Sequence, residues 1–147
     1  MKIKKMGLTA LLFISANIAF ADDLTTHNCT DYPSTAVINS GGCSGDLPGG
    51  IGVTPAHKSH SVPEAIVKYI CKYGDPDNCI ADVYLSDDCT GPIIGTVIFS
   101  TTTGIKSVDM KDANYQILGS SFDITIKNTT GGACPALRKE GQKNKTT

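Results

Sequence analysis

His27, His57 and His60 are the three histidines of this chain, the side chains best suited to neutral-pH acid–base chemistry or to metal ligation. His57-Lys58-Ser59-His60 places two imidazoles three residues apart, a spacing that brings both rings to one face of a helix. With His27 or an aspartate as a third ligand, such a pair would hold zinc or copper. Pro55 and Pro63 bracket the pair and favour a loop, and no carboxylate or thiol stands at a recognised ligand spacing. His27, His57 and His60 are therefore candidate ligands only, and no metal or other cofactor is expected. A small secreted hydrolase or metal-dependent enzyme using His57 or His60 remains an alternative function.

Other chemistry-bearing runs fail on their details. Gly42-Cys43-Ser44-Gly45-Asp46 and Pro55-Ala56-His57 resemble, out of order, the serine and histidine signatures of trypsin-like proteases. In that family the nucleophile follows Gly-Asp, and here Leu47 does. The histidine also comes after the serine, so the run reads as a glycine-rich loop. Asp75-Pro76-Asp77-Asn78 and Asp87-Asp88 suggest calcium, but counting from Asp75 puts Ile80 and Ser86 where an EF-hand loop needs glycine and glutamate. These residues suit turns on their own account. Tyr69, Tyr73 and Tyr84 are candidate ligand-binding residues, expected to share a neighbourhood on adjacent strands. A tyrosine patch of that kind contacts glycans or protein surfaces.

The elements that must position these groups begin after a leader. Met1-Lys2-Ile3-Lys4-Lys5 is positive, residues 8–20 are apolar, and Ala19-Phe20-Ala21 offers an A-x-A-like cleavage site before Asp22. Residues 1–21 are thus expected to be a signal peptide, cleaved near Ala21, and the product to be extracellular or periplasmic. Without Lys2, Lys4 and Lys5, the 126-residue remainder carries 10 cations against 14 carboxylates, a net charge of −4. That balance excludes nucleic acid or an anionic membrane as the main partner, since both demand clustered positive charge. No later apolar run approaches the ~20 residues of a membrane helix. The Asn-x-Thr sequons at Asn28, Asn128 and Asn144 read as polar turn residues in a bacterial chain.

Residues 22–61 are rich in glycine and proline, with only Thr35-Ala36-Val37-Ile38 strand-like, and are expected to be a loop-rich N-terminal segment of the same domain. Residues 62–135 are expected to form the core of an all-β fold, an antiparallel sandwich or small barrel. Its β-branched and aromatic runs (79–85, 92–99, 105–108, 115–118, 122–126) are separated by turn residues. Residues 65–73 admit two readings. A strand suits Ile66, Val67, Tyr69 and Ile70 and is preferred. A helix would be capped by Ser61 with Glu64 three residues on. Residues 136–147 form a polar tail, expected to be disordered.

All six cysteines follow the leader, so three disulfides are expected. If residues 65–73 and 79–85 form a hairpin about Asp75, Cys71 faces Cys79 at ~4.5 Å between Cα atoms. Cys89 then lies roughly 30 Å along the strand from Cys79 and must find a terminal partner. The pairing is expected to be Cys71–Cys79, Cys29–Cys43 and Cys89–Cys134.

In its leader, its cysteine-tied β region (Tyr84-Leu85-Ser86-Asp87-Asp88-Cys89-Thr90-Gly91-Pro92) and its closing 115–126 hairpin, the chain resembles small exported proteins of Gram-negative bacteria, including type II-secreted exoproteins of intracellular species. The resemblance implies a host- or environment-facing, virulence-associated role and carries no functional residue with it. The expected function is a monomeric, non-catalytic, effector-like protein that binds a host or surface protein or glycan. A surface appendage or coat subunit is a further alternative.

Overall fold

The computed structural model describes residues 22–135, so the expected signal peptide and polar tail lie outside the described residues. Eight strands run β1 (Leu24–Asn28), β2 (Thr35–Ile38), β3 (Ser59–Val62), β4 (Cys79–Tyr84), β5 (Ile93–Ser100), β6 (Gly104–Met110), β7 (Tyr115–Ser120) and β8 (Asp123–Asn128). One helix, α1 (Glu64–Cys71), sits between β3 and β4. The strands form two four-stranded sheets, ordered β3-β1-β8-β7 and β2-β4-β5-β6. Their inner faces share one core, with Ala81, Val83, Val97 and Phe99 from the second sheet against Ile117, Ile124 and Ile126 from the first. Over the described residues this is a β-sandwich with one α-helix.

Alternation makes most of these strands. In β8, Ile124 and Ile126 are buried while Asp123 is exposed, and Phe122 just before it is buried too. In β4, Cys79, Ala81 and Val83 point inward and Ile80 outward. A bulge shifts the register at Val83/Tyr84, where Val83 faces Gly95 and Tyr84 faces Ile93. Ile94, the extra residue, is turned into the core by it. At Gly95 the facing sheet leaves no room for a side chain: a Cβ there would lie 2.9 Å from Ile117 Cδ1.

Two strands fall in the segment expected to be loop. β1 (Leu-Thr-Thr-His-Asn) is central in its sheet, antiparallel to β3 and parallel to β8. β3 (Ser-His-Ser-Val) covers its outer side. Both are polar because their outward residues pair through side chains: Thr25 Oγ1 lies 2.8 Å from Ser61 Oγ, and His27 Nδ1 lies 2.6 Å from Ser59 Oγ.

Residues 65–73 are not a strand. Val67 and Cys71 are buried, Ile70 is half-buried, and Tyr69 and Tyr73 face solvent, which is helical spacing. The preferred strand reading weighed β-branched propensity over that period. Ser61 does not cap the helix, because it is paired in β3; Asp23 Oδ1 instead accepts the Glu64 N–H at 3.1 Å, and Pro63 stands at the cap position.

The disulfides correct two of the three expected pairs. Cys71 and Cys79 are bonded, joining the end of α1 to the start of β4 with Cα atoms 5.7 Å apart, so that link does not need the hairpin from which it was expected. Cys29–Cys43 and Cys89–Cys134 are not formed; the bonds are Cys43–Cys89 and Cys29–Cys134. After β2 the chain reverses at Asn39 and Ser40, both at positive φ, with Gly41 N–H donating to Ile38 O at 2.8 Å. Cys43 therefore runs back beside Val37 and meets the 86–91 turn at the far end of β4. Cys29 directly follows β1 beside the end of β8, its N–H donating to Ile126 O, because those strands are parallel. The chain leaving β8 reaches it at Cys134.

Candidate functional site

α1 presents a basic aromatic cluster to solvent. Tyr69 and Tyr73 are 57% and 78% exposed, and their rings meet edge to face with centroids 6.3 Å apart. Lys72 Nζ lies 4.2 Å from one ring centroid and 4.7 Å from the other, a double cation–π contact. The Lys72 ammonium, and after it the Tyr69 hydroxyl, hold the Tyr73 phenol below its ordinary pKa. One turn earlier, Lys68 is paired with Glu64.

Beside this cluster is a groove of about 230 Å³, walled by Tyr69, Ile70 and Tyr73 on one side and by Ile38, Asn39, Gly41, Gly42, Cys43, Ser44 and Leu47 on the other. The second wall is positioned by the turn after β2. Ile38 is bonded to Gly41 and Val37 faces Cys43, which leaves Gly42 as an extra residue. Cys43–Cys89 then locks the turn to the second sheet. A smaller cavity of about 90 Å³ lies between the sheets, lined by residues including Leu24, Leu47, Val62, Ile70, Phe99 and Ile126.

Tyr84 does not join Tyr69 and Tyr73. It sits on β4, half-buried between Thr35 and Ile93, and lines neither cavity. Sequence reasoning missed Lys72 and the 38–47 wall. The available signal was the four-residue spacing of Tyr69 and Tyr73, which belongs to a helix face.

The three histidines go to separate partners. His27 bridges Ser59 at 2.6 Å and Asp123 at 3.0 Å. Those are the residue types of a hydrolytic relay, but they stand on the outer face of the first sheet and line neither cavity. His60 Nε2 lies 3.0 Å from Ile51 O. His57 has a left-handed backbone, φ 55, within a turn, so it shares no helix face with His60. Among the described residues no three His, Cys, Asp or Glu side chains converge as a metal site. Asp75 is engaged in its own turn, accepting from Asn78 Nδ2 at 2.6 Å and Asp77 N–H at 2.9 Å, and these bonds, with Asn78 contributing most, keep its carboxyl below the usual range.

His57 gives a pH prediction. The Ala133 carbonyl at 2.8 Å, and then Asp31 Oδ1 at 2.6 Å, raise its pKa above 6.5. Both contacts are donated only by the imidazolium, since a neutral ring carries one N–H. The stabilisation is therefore complete below about 6.5, the unfolded value, and is lost as pH rises through the higher folded one. In an NMR titration His57 should show a midpoint above that of a free histidine, and Asp31→Asn should lower it. Amide exchange near Cys134, next to Ala133, should quicken through the same window.

The comparisons with known proteins bear on this frame. The family model described as the type II secretion system substrate NttC matches residues 1–133. The chain belongs to this NttC family. It is therefore a secreted protein, carried through the periplasm to the extracellular space, a route whose oxidising compartment suits three disulfides. The crystal structure of the Legionella pneumophila type II secretion system substrate NttC is similar to the chain at 23% identity and a TM-score of 0.58. The match covers 72% of this chain and 96% of that one, and it shows the shared fold. No curated protein matches the chain. Among the described residues no helix is long and apolar enough to cross a membrane.

Proposed function

We propose that this NttC-family protein is a secreted, non-catalytic binding protein that engages a host or surface ligand through the groove between α1 and the 38–47 turn. The observation that carries the reading is the Tyr69–Lys72–Tyr73 cluster: two exposed aromatics that wall the groove and a cation over their rings. Tyrosine supplies contact area with few rotors to freeze, and is enriched where proteins bind. The supporting walls are rigid, because one disulfide anchors each: Cys71–Cys79 for α1 and Cys43–Cys89 for the turn. Pre-organised walls cost little ordering on binding.

Labelled protein applied to host-cell surfaces and to glycan arrays tests this. Tyr69→Ala and Tyr73→Ala should each weaken binding by about tenfold or more, a loss typical of anchor residues. Tyr84→Ala, outside the groove, should leave it within about twofold. Equal binding by all three variants would place the ligand on another face.

A further inference from the structure

The groove adjoins a second cavity deeper in the molecule. Ile38, Ser44, Leu47 and Ile70 line both it and the inter-sheet cavity, so the two share a wall. Ser44 does not make the junction polar, since its hydroxyl donates to Gly52 O at 2.6 Å and accepts the Ala36 N–H at 2.9 Å. Beyond it the walls are mostly hydrocarbon from both sheets, including Leu24, Val62 and Phe99. A cavity of this character offers little to water. At the outer end, Lys72 Nζ stands over the rings of Tyr69 and Tyr73, which wall the groove, and belongs to none of the four ion pairs among the described residues.

We infer that the groove and the inter-sheet cavity join past Ile38, Ser44, Leu47 and Ile70 as one passage, which binds a single-chain anionic amphiphile of the fatty-acid class, its carboxylate at Lys72 and the end of its chain between the sheets. The inference rests on the groove being the binding face and names the ligand class for it. The inner volume of about 90 Å³ is smaller than the ~150 Å³ that encloses benzene, so it admits the end of one chain. The wider groove, with two aromatic walls and a cation over their rings, suits the rest of the chain and its head. A two-chain phospholipid has no second slot.

Calorimetry with hexanoate, octanoate and decanoate tests it, read beside tyrosine emission, which is unmasked because the chain has no tryptophan. Affinity should rise with chain length by up to about fourfold per added methylene until the cavity is full. Lys72→Gln should weaken decanoate by up to about fivefold and leave decanol unchanged. Gly42→Phe should block the groove without disturbing the backbone: a Cβ at Gly42 meets nothing within 4 Å, and its φ is not left-handed. Near-UV circular dichroism verifies the fold of each variant.

Absence of binding by all three acids, or undiminished decanoate binding by folded Gly42→Phe, would overturn the inference. So would binding to phosphatidylglycerol vesicles by a protein that ignores decanoate. If decanoate fails while Tyr69→Ala and Tyr73→Ala still abolish surface binding, the ligand class is wrong and the binding face stands. If decanoate binds as described while those variants bind surfaces normally, the surface reading fails and the passage stands.

Discussion

Gly104→Ala should lower the melting temperature far below that of the wild type. Gly104 opens β6 at φ +86, and a Cβ there would fall 2.0 Å from Ser121 O and 2.2 Å from Ser121 C, in the turn between β7 and β8. Those are backbone atoms, so no side chain can rotate away. The Ile105 N–H donates to the same Ser121 carbonyl at 2.7 Å, a hydrogen bond between the two sheets. Making room for the methyl group breaks that bond and separates the sheets where they meet. Left-handed strain alone costs about 1 kcal/mol; with the overlap and the lost bond the total should exceed about 4 kcal/mol. That is a large part of the 5–15 kcal/mol available to a domain. Gly49→Ala isolates the first contribution, because Gly49 has φ +73 with nothing within 4 Å of its Cβ. Thermal melts should show a small fall for Gly49→Ala and a collapse for Gly104→Ala.

Asn28→Asp should be nearly as damaging, and its damage should depend on pH. Asn28 is fully buried at the end of β1. Its Nδ2 donates to Tyr32 O at 2.7 Å and Thr54 O at 3.2 Å, and its Oδ1 accepts from Thr30 N at 2.9 Å and Thr30 Oγ1 at 2.8 Å. This sequon asparagine is thus a closed structural node rather than an exposed turn residue. Aspartate keeps the shape but replaces two donors with an oxygen facing two carbonyls. At neutral pH it also buries a charge, and the cost should be about 3–5 kcal/mol. Desolvation and the carbonyls raise the folded pKa of that carboxyl above its unfolded value. The penalty is therefore full above the folded pKa and shrinks as pH falls toward the unfolded one. The gap in urea midpoint from wild type should narrow between pH 7 and pH 4 without closing, since a protonated carboxyl donates once where the amide donates twice; a pH-independent gap would mean that the node is open to water.

Much of the second sheet was legible because its strands alternate or are densely β-branched. The turn at Asp75 was correctly read as a turn, and in the first sheet the 122–126 run showed its inward face directly. The other side of the first sheet was harder. β1 and β3 hold few apolar residues, and their stability comes from hydroxyl and imidazole pairs across strands far apart in sequence. No local pattern records that Thr25 meets Ser61 or that His27 meets Asp123. The disulfides failed for the same reason: Cys29–Cys134 follows from the parallel pairing of β1 with β8, and Cys43–Cys89 from a left-handed turn at Asn39-Ser40. α1 was weighed and set aside because its residues favour strands individually, while their burial follows a 3.6-residue period. That choice also misplaced the tyrosines. Tyr69 and Tyr73 were singled out, but Tyr84 was grouped with them on the assumption of adjacent strands. The groove itself joins residues 38–47 to 69–73, a juxtaposition that only the folded chain creates.

The binding face is tested most directly by competition on the host-cell surface. Labelled wild-type protein is displaced with unlabelled wild type, Gly42→Phe, or Ser59→Ala, whose substitution lies on the outer face of the first sheet. Wild type and Ser59→Ala should compete equally, and Gly42→Phe should fail to compete while keeping its fold. Full competition by Gly42→Phe, or the absence of any saturable binding to displace, would contradict the assignment of the groove as the site at which this protein meets its ligand.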